Sequence, residues 1–353
     1  MSKEFIKGNE AIAEAAVRAG CRFFAGYPIT PQNEVPEYLS ARLPEVGGHF
    51  IQGESEIASV FMVFGVAATG IRSMTSSSGP GFALKSEGIS FLAGGRIPAV
   101  LVNVSRGGPA IGTIEPAQQD YFSAVHAPAP GGFRCFVIAP QNVQEAADFV
   151  YEAFDIADKY RTPVYVLADG MIGNMMEVVE LPKMRDLAEL PSNDSWRFNK
   201  YNDDGSARIL STYMPMGELM QQKNKEMAEM YEAWEKNEQR WEEYMVDDAE
   251  YIVTAYGSSA RIAKSAVKEL RAEGIKAGLI RAITLFPFPK NAFAKLDYAK
   301  IKKMFCAEMS IPGQYIYDVQ NAVLGRSQII PIQTSGGVIL ETDMVVAAVK
   351  ENL

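Results

Sequence analysis

The stretch from Cys21 to Pro31, CRFFAGYPITP, joins a short apolar run to a loop that carries two prolines. The run Cys21–Gly26 has the length and aromatic content of a buried strand. The prolines fix φ on both sides of Ile29-Thr30 and remove two backbone donors, so the loop Tyr27–Pro31 presents the Thr30 hydroxyl in a preset conformation. A Thr-Pro pair also commonly ends a strand and caps the next helix, and the residues alone leave both interpretations open.

Outward from this stretch, short apolar runs alternate with longer helical patterns, which predicts a parallel sheet flanked by helices. The expected strands are Cys21–Gly26, His49–Gln52, Ile71–Thr75, Ala99–Val104, Cys135–Ala139 and Val164–Ala168. The expected helices include Asn9–Ala19, Glu54–Ala68, Phe82–Leu92 and Asn142–Asp158. We therefore predict an α/β fold with a doubly wound parallel sheet. Ligands of such sheets bind at the carboxyl ends of the strands, so the loops that follow the strands are where chemistry is expected.

Three parts are predicted along the chain: a doubly wound domain in residues 1–183, a connector in 184–247 and a second, smaller α/β domain in 248–353. The connector ends in a charged segment, Glu218–Met245, whose Met and aromatic residues recur at helical spacing and predict a helix of about 40 Å. This helix either packs on its own chain or docks on another subunit. The second domain is expected to contain the strands Tyr251–Tyr256, Lys276–Arg281, Met304–Glu308 and Ile329–Gln333, with a helix at Ala260–Glu273.

Composition limits the class of protein. The 353 residues are 48% hydrophobic, enough for more than one core, and the net charge of -9 argues against binding to nucleic acid or an anionic membrane. Cys21, Cys135 and Cys306 lie too far apart for a zinc or iron–sulfur spacing, and the sequence shows no signal peptide or long apolar span. We therefore expect a cytoplasmic protein with reduced cysteines and small ligands.

Three further loops carry polar residues of chemical interest. Glu54 and Glu56 open an apolar helix, where carboxylates often serve as caps, although capping needs only one of them. Ser76–Gly81 joins a strand to a helix and predicts a cradle for an anion or phosphate. Its match to a dinucleotide-binding fingerprint is weak, since Leu84 replaces the third glycine. Arg106 follows a strand beside glycines and suits a bidentate grip on a carboxylate or phosphate.

Four of these loops, in their order and spacing, resemble the motifs of the 2-oxoacid:ferredoxin oxidoreductase family. The loops are Tyr27–Pro31, Gly53–Ile57, Ser76–Gly81 and Arg106–Pro109. The resemblance covers nearly the whole chain and is that of an α subunit: the first domain is similar to the pyrimidine-binding domain of the thiamine-diphosphate-binding fold, and residues 251–353 to the transketolase-C-terminal-like domain. Segments Lys85–Gly94 and Lys159–Leu167 look most like the 2-oxoisovalerate (branched-chain) type, with the 2-oxoglutarate type as the close competitor.

The resemblance implies a reaction and a role for particular residues. The reaction is the oxidative decarboxylation of a 2-oxoacid with coenzyme A to acyl-CoA, CO2 and reduced ferredoxin. Glu56 matches the catalytic glutamate that hydrogen-bonds the aminopyrimidine ring of thiamine diphosphate, with Glu54 the less favoured candidate. Thr30 and Arg106 match the groups that hold the 2-oxoacid carboxylate. The other implied cofactor-binding residues are Tyr27, Pro28, Ile29, Ser78 and Gly79.

Two features of the resembled family are absent from this sequence: the Gly-Asp-Gly motif with a downstream Asn, which binds diphosphate and Mg²⁺, and the cysteines of the iron–sulfur clusters. The resemblance therefore implies a hetero-oligomer in which thiamine diphosphate is shared at the interface with a β subunit that holds Mg²⁺. Clusters of the 4Fe–4S type would lie on partner subunits, among γ and ferredoxin-like chains. A non-oxidative thiamine diphosphate enzyme and an inactive regulatory module are the alternatives. The identity of the 2-oxoacid stays open, since a second carboxylate needs one added cation whereas a branched chain needs only an apolar wall.

Overall fold

A computed structural model describes residues 3–353 of the chain, which alternate between strands and helices. The strands are β1 (Lys3–Lys7), β2 (Phe23–Gly26), β3 (His49–Gln52), β4 (Ser73–Ser77), β5 (Ala99–Ser105), β6 (Phe136–Ile138), β7 (Pro163–Asp169), β8 (Met176–Glu180), β9 (Trp241–Tyr244), β10 (Tyr251–Tyr256), β11 (Ala277–Ala282), β12 (Thr284–Phe286), β13 (Lys303–Glu308) and β14 (Ile329–Gln333). The helices are α1 (Gly8–Arg18), α2 (Glu34–Glu45), α3 (Glu56–Ala67), α4 (Pro80–Leu84), α5 (Ser86–Gly95), α6 (Tyr121–Val125), α7 (Val143–Tyr160), α8 (Gly170–Asn174), α9 (Gly217–Asn237), α10 (Gly257–Ala272), α11 (Lys290–Ala294), α12 (Tyr315–Val323) and α13 (Thr342–Lys350).

The first sheet has the strand order β12-β6-β7-β5-β4-β2-β3, and its strands are parallel except for the edge strand β12. From β2 the chain moves outward to β3 and then returns past β2 to form β4. The direction of winding therefore reverses between β2 and β4, and this point of an open α/β sheet is where ligands bind, beyond the carboxyl ends of the strands. The predicted doubly wound sheet is confirmed.

The helices cover both faces of this sheet because alternate residues of its buried strands point to opposite sides. Along β5, Val100 and Val104 pack in the cluster formed with α1 and α7, whereas Leu101 packs in the cluster formed with α3 and α5. All seven residues of β5 are buried. Each fully buried Val or Leu side chain contributes about 1.5–3 kcal/mol to folding. The apolar central strands therefore hold the loops at their carboxyl ends in place.

The second sheet has the order β14-β13-β10-β11-β9, in which the first four strands are parallel and β9 is antiparallel. The prediction of one helix from Glu218 to Met245 is wrong, because α9 ends at Asn237 and β9 occupies Trp241–Tyr244. After the helix, the Arg240 N–H donates to Thr284 Oγ1 (3.0 Å), and Trp241–Tyr244 pair with β11. The backbone of this segment is thus hydrogen-bonded to strands that are distant in the sequence. The helical spacing of its Met and aromatic residues did not indicate this pairing.

Strand β12 follows β11 in the second half of the chain but pairs with β6 of the first sheet, with Thr284 opposite Ile138 and Phe286 opposite Val137. The Ala139 N–H also donates to the Ile283 carbonyl oxygen (2.9 Å). The division of the chain into residues 1–183, 184–247 and 248–353 stays a prediction. The pairing of β12 with β6 joins the first of these parts to the third. No helix in the described part of the chain has the length and apolar character needed to cross a membrane.

Candidate functional site

Two loops meet at the reversal point of the first sheet. The loop Tyr27–Pro31 follows β2, and Ser78-Gly79 follows β4. Gln32 joins them: its side-chain oxygen accepts a hydrogen bond from the Ser76 hydroxyl, and its Nε2 donates to the Tyr27 carbonyl oxygen (3.4 Å). The fully buried Gln32 therefore fixes the first loop to the end of β4.

Thr30 is not a helix cap. Helix α2 begins at Glu34, its N-cap residue is Asn33, and the Thr30 hydroxyl accepts a hydrogen bond from Asn33 Nδ2 (3.3 Å). The interpretation of Thr30-Pro31 as a cap for the next helix is wrong, because the turn contains two more residues before the helix starts. Within residues 3–353 the Thr30 side chain makes no other hydrogen bond.

Glu56 is the first residue of α3 and is 6% exposed, whereas Glu54 is exposed. The capping role considered for these glutamates is wrong, since Ser55 caps the helix through its hydroxyl oxygen, which accepts from the Ala58 N–H (3.2 Å). The carboxylate oxygens of Glu56 accept no hydrogen bond from residues 3–353. A Cβ atom at Gly81 would lie 2.5 Å from Glu56 Oε1, so only glycine leaves room for the carboxylate.

Arg106 lies at the carboxyl end of β5 and is 7% exposed. Its Nη1 donates to the Thr30 carbonyl oxygen (2.8 Å), while its buried Nε has no hydrogen-bond partner within residues 3–353. The side chain passes beneath Gly79, where an added Cβ would lie 3.4 Å from Arg106 Cγ, and Gly79 has a φ of +45° that favours glycine. The structure therefore brings Thr30, Gly79 and Arg106 together.

The remaining predicted site residues lie around these groups. Glu56 is beside Gly81, whereas Arg106 is beside Gly79, and no hydrogen bond or ion pair joins Glu56 to Thr30 or Arg106 within residues 3–353. Tyr27 and Pro28 are exposed, Ile29 is half-buried and Ser78 is buried. Binding of a cofactor by these residues stays a prediction.

Several buried polar atoms at the ends of β4 and β5 lack hydrogen-bond partners in the described chain. They are Ser77 Oγ, Ser78 Oγ, Asn103 Oδ1 and Arg106 Nε. The two strands are neighbours, with Ser77 opposite Asn103, so these atoms lie in one region. Because buried polar groups in folded proteins are nearly always hydrogen-bonded, this concentration indicates a place where a ligand or partner supplies the missing bonds.

A crevice of about 630 Å³ adjoins this region and reaches the second domain. Its lining includes Arg106, Asp120, Tyr165 and, from the second domain, Gln314. Gln314 Nε2 donates to the Gln119 carbonyl oxygen (2.7 Å), which ties the two domains at the crevice wall. Burial raises the pKa of Asp120, although a hydrogen bond from Asn103 Nδ2 (3.0 Å) acts in the opposite direction.

Lys85 is a functional candidate that sequence reasoning missed. A single helix was expected over Phe82–Leu92, but Lys85 separates α4 from α5 and is fully buried. Its Nζ donates to Thr75 Oγ1 (2.9 Å) and to the Glu56 carbonyl oxygen (3.4 Å). A signal was present, because Lys85 stands between Phe82 and Ile89 at the spacing of a buried helical stripe.

The doubly wound domain, joined to a smaller α/β domain, agrees with the thiamine-diphosphate-binding class that the resemblance implies. Within the described residues, no group of three or more His, Cys, Asp or Glu is placed to hold a metal ion.

Residues 14–248 match the family described as pyruvate flavodoxin/ferredoxin oxidoreductase, thiamine-diphosphate-binding, and residues 249–345 match core domain II of pyruvate:ferredoxin oxidoreductase. The chain belongs to this family and is a 2-oxoacid:ferredoxin oxidoreductase subunit.

Curated relatives align along almost the whole chain. The ketoisovalerate oxidoreductase subunit VorB of Methanothermobacter marburgensis is 43% identical over 351 residues, covering 99% of this chain and 98% of the relative. The 2-oxoglutarate synthase subunit KorA of Methanocaldococcus jannaschii is 36% identical over 357 residues, covering 96% of each. The oxidative class is therefore confirmed over the non-oxidative alternative.

Solved structures give the same fold. The 2-oxoglutarate:ferredoxin oxidoreductase of Magnetococcus marinus, with 2-oxoglutarate, coenzyme A and succinyl-CoA bound, superposes with a TM-score of 0.88 at 26% identity. That match covers 99% of this chain, which spans 65% of the solved chain. A split-gene transketolase superposes with a TM-score of 0.60 at 15% identity, a likeness of fold alone. The predicted pairing of a thiamine-diphosphate-binding domain with a transketolase-like fold is confirmed.

Proposed function

We propose that this chain is the α subunit of a 2-oxoacid:ferredoxin oxidoreductase that converts 2-oxoisovalerate and coenzyme A to acyl-CoA, CO2 and reduced ferredoxin. The observation that carries the proposal is the nearly buried Glu56, whose carboxylate oxygens accept no hydrogen bond within residues 3–353 and lie, with the unpaired Ser77 Oγ, beside Gly81. A buried carboxylate without a partner is costly, and a site that binds a complementary ligand explains why it is kept.

The residues present fit the pyrimidine half of thiamine diphosphate. When bound, this cofactor supplies the carbon nucleophile that attacks the keto carbon of the substrate. In our proposal the Glu56 carboxyl forms a hydrogen bond with the ring nitrogen of the aminopyrimidine. Ser78 would give its unpaired hydroxyl to the cofactor, while Gly79 and the backbone of Tyr27–Ile29 would shape the wall around it.

Arg106 and Thr30 are proposed to bind the substrate carboxylate. The guanidinium is held in place by its bond to the Thr30 carbonyl oxygen and keeps a buried, unpaired Nε–H. The Thr30 hydroxyl can donate beside it, because its present bond to Asn33 uses only a lone pair. Two donors on one side of a carboxylate orient it as well as attract it. Together they would hold the keto carbon at a fixed position.

The branched-chain substrate is favoured by the lining of the crevice. Among the described residues that line it, Arg106 is the only cation, and much of the remaining wall is apolar, including Phe82 and Pro312. Once Arg106 binds the first carboxylate, a second carboxylate finds no cation in this chain's part of the crevice. The 43% identity to a ketoisovalerate oxidoreductase subunit supports the same choice. The alternative is 2-oxoglutarate, the substrate named for the KorA relatives.

The diphosphate, Mg²⁺ and 4Fe–4S clusters are assigned to partner subunits, namely a β subunit together with γ and ferredoxin-like chains. The apolar face of α3 is proposed to receive the β subunit. Ile57, Phe61 and Phe64 follow one another at helical spacing on this face, and Ile57 is 44% exposed. An α-helix that is apolar on every side is ordinarily buried. The face continues from Glu56, so a subunit docked there would also close the cofactor site.

The test is anaerobic purification of the chain with its partner subunits, followed by a coenzyme-A-dependent viologen reduction assay. We expect the highest kcat/KM with 2-oxoisovalerate, compared with pyruvate, phenylpyruvate and 2-oxoglutarate. A preference for 2-oxoglutarate would replace the substrate and leave the site assignment standing. Absence of activity with all four 2-oxoacids, in a complex loaded with cofactor and clusters, would overturn the proposed reaction.

We place the complex in the cytoplasm, where the three buried, unpaired cysteines of this chain would stay reduced.

A further inference from the structure

Asn9 binds the carboxyl end of the loop Tyr27–Pro31. It is the second residue of α1 and is fully buried. Its side-chain Nδ2 donates to the Pro31 carbonyl oxygen (2.7 Å) and to Oε2 of Glu34 (2.7 Å), the residue with which α2 begins. One amide group of α1 therefore bonds both the end of the loop and the start of the helix that follows it.

The helix that carries Asn9 is firmly packed. Helix α1 contributes buried apolar residues, among them Ile12 and Val17, to the cluster on one face of the first sheet. Lys7, directly before α1, forms an ion pair with Glu34 through Oε1, the carboxylate oxygen that Asn9 does not bind. The amino ends of α1 and α2 are therefore joined through Glu34, and Asn9 extends this connection to the loop.

Thr30 and the residue after it both have their carbonyl groups bound. Arg106 Nη1 donates to the carbonyl oxygen of Thr30 itself (2.8 Å) from the end of β5, and Asn9 donates to that of Pro31. The Pro31 ring also lies close to α8, because a Cβ atom at Gly170 would be 3.2 Å from Pro31 Cγ. The backbone on the carboxyl side of Thr30 is therefore held from α1, β5 and α8, which limits where its hydroxyl can lie relative to the Arg106 guanidinium.

The amide of Asn9 is bonded at its nitrogen and not at its oxygen. The oxygen, Oδ1, is buried and has no hydrogen-bond partner in the described chain, and it faces Gly173, where an added Cβ would lie 2.7 Å away. A buried acceptor without a partner destabilises a fold. The benefit of an amide at this position therefore lies with its two donor bonds, to Pro31 and to Glu34.

We propose that Asn9 is a positioning residue for substrate binding: its bond to the Pro31 carbonyl oxygen keeps the Thr30 hydroxyl where it binds the 2-oxoacid carboxylate beside Arg106. This inference rests on the proposed function, in which Thr30 and Arg106 bind that carboxylate. Within residues 3–353 the side chain of Asn9 bonds only to Pro31 and Glu34. Asn9 therefore acts on the substrate through the loop.

The first experiment is steady-state kinetics of Asn9→Ala in the assembled, cofactor-loaded complex. We expect kcat/KM for the 2-oxoacid to fall about 10-fold, mainly through a higher KM, because a loosened loop places the Thr30 hydroxyl less accurately. A lower kcat with an unchanged KM would mean only that less of the enzyme is intact, and it would overturn the proposal.

Asn193→Ala is the matched control for these kinetics. The Nδ2 of Asn193 also donates to a backbone carbonyl oxygen, that of Gly70 (2.6 Å), but it does so before β4, at the opposite edge of the sheet. This variant should keep the wild-type KM. An equal rise of KM in both variants would show a general effect of losing such a bond, and would also overturn the proposal.

The second experiment asks whether Asn9 acts through Thr30. Thr30→Val removes the hydroxyl and keeps the shape of the side chain, so it should raise the KM by itself. In the Thr30→Val background the further effect of Asn9→Ala on KM should shrink to about twofold or less, since the group that the loop positions is gone. Effects that multiply fully, as those of independent sites do, would contradict the inference.

The third experiment is hydrogen–deuterium exchange of the full chain, which requires no substrate. We expect the backbone amides of residues 26–35 to exchange faster in Asn9→Ala than in the wild type, while those of β5 keep their rate. Asn9→Ser should give the same result, because its side chain is too short to reach both partners, and it serves if the alanine variant does not fold. Exchange as slow as in the wild type would overturn the proposal.

The experiments separate this inference from the function on which it rests. If Thr30→Val raises the KM and Asn9→Ala leaves it unchanged, the inference about Asn9 fails and the role of Thr30 stands. If Thr30→Val and Arg106→Lys both leave the KM unchanged, the proposed binding of the substrate fails, and the inference about Asn9 fails with it.

Discussion

The guanidinium of Arg106 donates a hydrogen bond of 2.8 Å to the backbone carbonyl oxygen of Thr30. This bond connects the end of β5 to the loop after β2, across the strand β4 that lies between them. The same arginine keeps a buried N–H that has no partner in the described part of the chain. One side chain thus fixes a loop of the site and, in the proposed function, presents a donor to the substrate.

We expect Arg106→Lys to raise the KM for the 2-oxoacid and to lower kcat, with kcat/KM falling about 100-fold or more. The reason is that the ammonium group of lysine lacks the planar set of donors with which a guanidinium can bind the loop and a carboxylate at the same time. Steady-state kinetics of the assembled complex checks this. Arg96→Lys is the matched control, since Arg96 also donates to backbone carbonyl oxygens, those of Tyr160 and Arg161, but outside the site. An equal loss in both variants would point to damaged folding.

Glu56→Gln is expected to lower kcat about 100-fold or more, because the amide cannot hold and release the proton at the cofactor ring. Glu54→Gln makes the same chemical change two residues earlier at an exposed position and should keep near-wild-type kcat. Thermal melting of both variants shows whether the fold is kept. Comparable kcat values for the two variants would remove Glu56 from its assigned role.

Ile57→Glu is expected to weaken assembly with the β subunit, since docking would bury the new carboxylate in an apolar contact without a cation. Gel filtration of the mixed subunits should show the free chain in place of the complex. Val178→Glu introduces the same charge on the exposed strand β8 and serves as the control. Normal assembly of the Ile57 variant would place the β subunit elsewhere.

Gln118→Ala is expected to destabilise the chain by about 2–4 kcal/mol, because it removes three hydrogen bonds and leaves buried backbone groups unpaired. Gln118 Oε1 accepts from Ser259 Oγ (2.7 Å) and the Met309 N–H (3.0 Å), and its Nε2 donates to the Tyr256 carbonyl oxygen (3.0 Å). Chemical denaturation measures the effect. Gln144→Ala loses several side-chain hydrogen bonds at the surface, where water replaces them, and should cost far less.

The sequence predicted the elements whose pattern is local. Strands His49–Gln52, Tyr251–Tyr256 and Ile329–Gln333 have the expected bounds, because each is a short run between clear breaks. The four loops that carry the family resemblance also led to the region where the orphaned polar atoms lie. Which of those loops lie next to one another follows from the strand order. The predicted alternation of strands and helices limits the strand orders that are possible.

Other features depend on contacts between distant residues. Strand β9 lies in a segment whose Met and aromatic residues recur at helical spacing, and both β9 and β12 are fixed by a partner elsewhere in the chain. Lys85 was not predicted as a site residue, since lysine is almost never fully buried. Its position on a buried helical stripe becomes meaningful only when the first turn of α3 is seen beside it.

The pairing of β12 with β6 also bears on how this protein could be divided. A gene split at the junction between the two matched family regions, after residue 248, would separate the first sheet from its own edge strand. The amino-terminal product would present an uncovered strand edge, which invites aggregation. The two regions are therefore expected to be inherited and exchanged as one piece, and fission of the enzyme into smaller subunits should spare this junction.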